Sequence, residues 1–247
     1  MSRLNIRSVV PVCLNSILLR VERKLAGLCG LLLDDESKLT RTERTWISDR
    51  KRFLEICACD RMRAMNTILW SSEHRQWFDY DLSTNSHSGV VAASNFFPLW
   101  AGCWDHERVE MAVESLVQSG LVLEGGVSAT VLHSGEQWDY PNAWPPIQEI
   151  LVEGLQLSAE FLKSTESTES STKAKSLAEQ IAVSCLKSYW NGYQKYGVMF
   201  ERYDSRTSDG SRGDGGEYST QTGFGWTNGT ALKFLSKYSL PFLSFFS

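Results

Sequence analysis

The stretch VCLNSILLRVERKLAGLCGLLL, residues 12–33, decides the fold class. Within it Leu14, Ile17, Leu18, Val21, Leu25, Leu28 and Leu32 return at intervals of one, three and four, while Arg20, Arg23 and Lys24 fall on another side. An α-helix repeats about every 3.6 residues, so this spacing gathers the apolar side chains into one stripe. It predicts an amphipathic helix with that stripe turned to a core.

Outward from this segment the same period recurs. Ser48 can cap a run to about Trp70 in which Phe53, Ile56, Met62, Met65 and Leu69 repeat at mixed threes and fours. Asp105 is placed to cap a helix carrying Val109, Ala112, Val113, Leu116 and Val117, and Gly120 stands where a left-handed C-terminal residue is wanted. Pro145 and Pro146 fit the first turn of another, with Ile147, Ile150, Leu151, Leu155 and Leu162 as its stripe. A fifth runs from about Ala174 to Lys195. Before it, KSTESTESSTKA at 163–174 is too polar to build core and reads as a solvent-exposed loop. Period-two alternation is confined to short stretches such as 127–132, so the class is all-α.

The chain has 247 residues, 42% of them apolar, enough for a substantial core within a single domain spanning 1–247. Its net charge of −4, with both signs dispersed, gives no basic footprint for nucleic acid. Pro11, Arg20 and Glu22 interrupt the apolar start, so no secretion signal is expected. The apolar tail 240–247 is far shorter than the ~20 residues of a membrane span, and the chain is expected to be soluble. Six cysteines show neither a paired CxxC nor a matching histidine spacing, and are expected to be buried thiols without metal or disulfide. The four histidines accompany no Ser/His/Asp order, and the glycine-rich stretch 210–216 matches neither a Walker loop nor a dinucleotide fingerprint.

Long connections around 71–104, 121–144 and 197–230 carry the chemistry-bearing residues. The richest is ERYDSRTSDGSRGDGGEYSTQTGFGWTNGT, residues 201–230, where Glu201 and Glu217 stand among glycines and aromatic residues. Carboxylates bind hydroxyls or activate water, glycines let backbone approach a ligand, and aromatic faces stack on sugar rings. A second stretch, HSGEQWDYPNAWPPIQ at 133–148, sets Gln137, Trp138, Asp139, Tyr140 and Asn142 just ahead of a helix start. Planar polar groups beside tryptophan suit polyols; the plainer alternative is a capping loop with Asn142 as N-cap. A third stretch, SSEHRQWFDYDLST at 71–84, carries a weaker signal. Carbohydrate is the candidate ligand, and the residues alone do not assign separate roles to the two glutamates.

QWDYPNAWPP, residues 137–146, resembles the QWDxPNxW-type signature of the trehalases. The elements VVPVCLN at 9–15, WFDYDL at 77–82, MFERYD at 199–204 and GGEY with GFGWTNG at 215–229 are similar to that family's motifs and stand in its order. The resemblance covers almost the whole chain. It implies helix hairpins forming part of an (α/α)6 barrel, an α-toroid, and hydrolysis of α,α-trehalose to two glucose units with inversion, without metal or other cofactor. By the family pattern Glu201 is the general base and Glu217 a substrate-binding carboxylate, while Trp138 stacks on sugar and Gln137 and Asp139 hold hydroxyls.

The same resemblance implies that the family's general-acid aspartate, carried in a segment like SGWDFSSRW, lies outside this sequence, together with the N-terminal half of the barrel. The isolated chain is therefore expected to be essentially inactive, because loss of a general acid commonly removes ~10²–10⁴ of rate. The alternative is a non-catalytic remnant that binds sugar or a partner. Cys13, Glu136 and Asp214 depart from the family's usual residues. Asn228, in a glycosylation sequon with Thr230, is expected to be buried.

Overall fold

The computed structural model describes residues 6–35 and 39–244, so the first five residues of the start and the last three of the apolar tail lie outside the described residues. Its helices are α1 (Val12–Asp34), α2 (Arg41–Ala64), the short α3 (Phe97–Ala101), α4 (His106–Gln118), α5 (Pro145–Ser164), α6 (Thr168–Tyr196) and α7 (Gly225–Leu243). The strands are two-residue pieces that staple loops together. α2 packs on α1, α1 on α3, α3 on α5, α5 on α6, and α6 on α7, so the helices follow one another as an all-α arc around a continuous apolar core.

Local chemistry explains most element ends. The Asp105 side chain accepts from Arg108 N at the start of α4, and Gly120 just past its end has φ +77. Arg20 and Arg23 of α1 donate to the carbonyls of Trp100 (2.9 Å) and Ala101 (3.2 Å), satisfying acceptors that the last turn of α3 leaves open. Gly154 of α5 faces α3, and a Cβ there would lie 2.9 Å from Trp100 N, so only glycine permits that approach.

Several expectations are corrected. α2 starts at Arg41 instead of after Ser48, because Thr40 and Glu43 form a capping box in which each side chain accepts from the other's backbone N–H. The polar tract 163–174 is a loop only at residues 165–167. Its first two residues end α5 and its last seven are the opening turns of α6, mostly exposed apart from the buried Ala174 and held by the Ser171 hydroxyl donating to Ala159 O (2.7 Å) and by a Lys173–Glu114 ion pair. α7 was not expected from the sequence, since Gly225, Gly229 and Pro241 all oppose a helix by propensity; packing of Ala231, Phe234 and Tyr238 into the core overrides it. Only Cys103 and Cys185 are fully buried, Cys59 is exposed, and all six are free thiols.

The largest correction concerns α1. Its core face consists of Val12, Ser16, Leu19 and Ala26, half a turn away from the predicted stripe, which lies exposed. Val12 and Leu19 on this face join the core, and the broader leucine stripe faces outward.

Candidate active site

The two motif stretches meet because a short antiparallel ladder joins them: Asn142 pairs with Asp204 and Ala143 with Tyr203. Asn142 strengthens the joint, its side chain donating to Asp214 O (2.8 Å) and accepting from Asp214 N (3.0 Å). It is not the N-cap of α5, a position held by Trp144. The Tyr140–Pro141 peptide within this stretch is cis.

α6 ends at Gly197, whose φ of +70 turns the chain into the loop that presents Glu201. The Glu201 backbone is held on three sides. Its N–H donates to Gln221 O (2.9 Å), its carbonyl accepts from Trp226 Nε1 (3.1 Å), and the preceding carbonyl of Phe200 accepts from the Thr227 hydroxyl (2.8 Å). The first turn of α7 thus fixes the residue's place.

The Glu201 side chain is buried, 2% of the residue being exposed. Arg202 Nη1 donates to its Oε2 at 3.0 Å, and the Tyr218 hydroxyl donates to its Oε1 at 3.0 Å. The Gln221 amide lies 3.4 Å from Oε2. Arg202 is itself locked, with Nη2 donating to Gly215 O (3.0 Å) and its guanidinium 5.2 Å and 5.3 Å from the ring centroids of Trp144 and Tyr218. Partial desolvation of its hydroxyl, and the bond from that hydroxyl to Glu201, raise the Tyr218 pKa, although the residue as a whole is exposed.

Trp144 links this centre to the first motif. It is buried, stacks on Trp138 at 3.8 Å between centroids and 5° between planes, and meets Trp226 edge-on at 5.7 Å. Its indole N–H donates to Gln137 O (2.9 Å). Trp138 is half exposed and so offers an open aromatic face continuous with the Trp144–Arg202–Glu201 column. Gln137 lies against Gly216, where a Cβ would meet its side chain at 2.9 Å, and its buried Oε1 has no hydrogen-bond partner in the structure.

The remaining predicted site residues are placed otherwise. The Asp139 carboxylate accepts from the Thr130 hydroxyl (2.6 Å) and from the Ser134 hydroxyl (2.5 Å), bonds that hold its own turn. Glu217 is exposed, one residue before the Tyr218 whose hydroxyl reaches Glu201. Asn228 is exposed in the first turn of α7, whereas Thr230 of the same sequon is buried. Arg202 and Tyr218 were missed in the sequence. The only signal was a cation directly beside the motif glutamate and an aromatic residue directly after Glu217. Among the described residues, no group of three or more His, Cys, Asp or Glu side chains is placed to hold a metal ion, and no helix is long and apolar enough to cross a membrane.

A family model described as Trehalase matches residues 1–239. This chain belongs to the trehalase family. Among its relatives, a probable trehalase of Oryza sativa subsp. japonica is 32% identical over 262 residues, covering 98% of this chain and 42% of that protein. The trehalase of Arabidopsis thaliana is 36% identical over 246 residues, covering 95% and 35% respectively. Thus the trehalase relatives are matched over little more than a third of their length.

Solved structures agree on the fold. The neutral trehalase Nth1 from Saccharomyces cerevisiae superposes with a TM-score of 0.68 at 22% identity, covering 93% of this chain and 38% of that one. A GH63 mannosylglycerate hydrolase from Thermus thermophilus gives a TM-score of 0.55 at 22% identity, covering 92% and 45%. The arc of paired helices is part of an (α/α)6 toroid.

Proposed function

We propose that this chain carries the general-base side of an α,α-trehalase site, which hydrolyses trehalose to two glucose units with inversion. The observation that supports it is the buried Glu201 carboxylate, gripped by Arg202 and Tyr218 at the end of an aromatic column that opens at Trp138. Inversion needs a base that takes a proton from water as it attacks the anomeric carbon. It also needs an acid on the opposite side that protonates the bridging oxygen, the two carboxyl groups lying ~6.5–9.5 Å apart.

Glu201 suits the base. The Arg202 guanidinium holds one oxygen and the Tyr218 hydroxyl the other, so the carboxylate is fixed in a single orientation. This arrangement favours Glu201 over Glu217 for that role, and the exposed Glu217 serves sugar hydroxyls together with Gln137 and with the lone pairs that Thr130 and Ser134 leave free on Asp139. Trp138 supplies the ring-stacking platform. None of the hydrogen-bond partners of Glu201 is a second carboxyl group. The general acid belongs to a part of the trehalase fold outside these 247 residues, so the chain alone binds sugar without cleaving it efficiently.

The test is calorimetric titration of the purified chain with trehalose alongside a glucose-release assay. Binding that weakens at least tenfold in Trp138→Ala, with negligible glucose release, is the expected result. Absence of trehalose binding overturns the sugar-site reading. Glucose release at the rate of a full-length relative, abolished by Glu201→Gln, would keep the base and overturn the assignment of the acid elsewhere.

A further inference from the structure

Asn191–Gly192, Asp209–Gly210, Asp214–Gly215 and Asn228–Gly229 share one latent reaction. In such a pair the glycine amide nitrogen can attack the side-chain carbonyl carbon of the residue before it and close a five-membered succinimide, since glycine has no Cβ to block the approach. Geometry separates the four. Asn191 and Asn228 lie within α6 and α7, whose helical backbones engage the glycine N–H groups with the preceding turn. The Asp209 carboxylate is held by other neighbours, accepting from Ser211 N (2.9 Å), the Ser211 hydroxyl (2.8 Å) and the Thr207 hydroxyl (2.9 Å).

Asp214 differs from these. Its carboxylate Oδ1 accepts from Gly215 N at 2.8 Å, so the attacking nitrogen stands beside the carbon it would join. Asp214 is exposed, and the pair borders an open cavity of about 360 Å³ that gives water access to the ring.

We propose that Asp214–Gly215 is an isoaspartate-forming site, a slow chemical clock in the loop that anchors Arg202. Gly215 N bonds to Asp214 Cγ and gives up its proton, and the protonated carboxyl loses its hydroxyl, the two leaving together as water. A second water opens the succinimide. Attack at Cγ restores aspartate, whereas attack at the main-chain carbonyl breaks the original peptide bond and leaves Gly215 joined through Cγ. No oxidant or partner protein is consumed.

Isoaspartate inserts one carbon into the main chain between fixed points. Asn142 bonds to Asp214 N (3.0 Å) and Asp214 O (2.8 Å), and Arg202 bonds to Gly215 O (3.0 Å). These three bonds cannot all survive the added carbon, so isomerisation loosens the loop that holds Arg202. The chemistry involves no sugar and stands apart from the trehalase reading.

The test is ageing of the full chain at neutral pH in heavy-oxygen water, followed by tryptic digestion and electron-transfer fragmentation. Label and isoaspartate are expected to accumulate at Asp214, in the peptide 213–233, and to be many-fold lower at Asp209, in the peptide 207–212. Asp214→Glu, whose ring would need a sixth member, is expected to lose the signal. Asp214→Asn is expected to gain it faster, with ammonia leaving in place of water. Aged wild-type protein should melt at a lower temperature than fresh protein, and aged Asp214→Glu, which keeps the backbone bonds to Asn142, should not. No label at Asp214, or equal label at Asp209, overturns the proposal. Isoaspartate that leaves the melt unchanged overturns its structural consequence.

Discussion

Glu201 and Arg202, neighbours in the chain, form a 3.0 Å ion pair whose side chains are 3% and 0% exposed. Removing one partner of such a pair leaves a charge without solvent or counterion, at a cost of about 3–5 kcal/mol. Arg202→Met is accordingly expected to lower unfolding stability by that amount in urea titration. The double variant Glu201→Gln/Arg202→Met should recover part of the loss, because no buried charge remains. An Arg202→Met protein as stable as wild type would show that the pair is hydrated in solution.

Trp138 covers one face of Trp144 while its own outer face stays open. Trp138→Ala removes a stacked pair worth roughly 0.5–1.5 kcal/mol beyond its buried area, so the fold should survive with a modestly lower melting temperature. Trehalose should change the intrinsic tryptophan fluorescence of the wild-type chain and not that of the variant. A sugar response retained in Trp138→Ala counts against the platform.

Gly210, with φ +80, lies so close to α6 that an added Cβ would fall 2.0 Å from Gly192 N. Gly89 has a similar φ of +69 but open space around its missing Cβ. Gly89→Ala should therefore show only the backbone penalty of about 1–2 kcal/mol, whereas Gly210→Ala adds a backbone clash and is expected to lose about 3 kcal/mol or more. Paired chemical denaturation of the two variants measures the difference. Equal losses would mean that the loop following Glu201 is not pressed against α6.

Lys233 of α7 bridges Glu149 (2.6 Å) and Glu153 (3.0 Å) of α5, and Glu153 also pairs with Arg20 of α1. Burial pushes the Glu153 pKa up, but the Lys233 hydrogen bond and the charges of Lys233 and Arg20 outweigh it, leaving the carboxyl below its ordinary value. Burial likewise pushes Lys233 down, and its bonds to the two glutamates carry it above the ordinary lysine value. A depressed carboxyl contributes stability that is present at neutral pH and lost as pH falls through its folded value. A raised lysine contributes stability lost as pH rises through its own folded value. Stability should plateau between these limits. Glu153→Gln should reduce the slope of the acid limb and Lys233→Met that of the alkaline limb, both read from melting temperature against pH.

Much was legible in the residues alone. Asp105 with Gly120, and Pro145 with Pro146, bounded α4 and α5 by interactions that reach no further than one helical turn. The TRTE sequence at 40–43 carried a capping box just as local, and choosing Ser48 instead passed over it. The ordered motifs were enough to indicate the trehalase family, because they preserve residue types that a shared fold and site demand.

The tertiary structure decided what periodicity and propensity cannot. Spacing showed that α1 has an apolar stripe. Which of its two faces met the core depended on α2 and α3, which pack on it from elsewhere in the chain, and they cover Val12 and Leu19 while the stripe through Leu25, Leu28 and Leu32 stays exposed. Gly225, Gly229 and Pro241 argued against α7, and long-range packing of Phe234 and Tyr238 outweighed them. Arg202 is written beside Glu201 in the chain, yet only the meeting of residues 142–143 with 203–204 encloses the pair between Trp144 and Tyr218. Helix period and caps are local, so one sequence determines them. Burial, the choice of face and the partners of a charge belong to segments far apart in the chain, and only the folded arc brings those together.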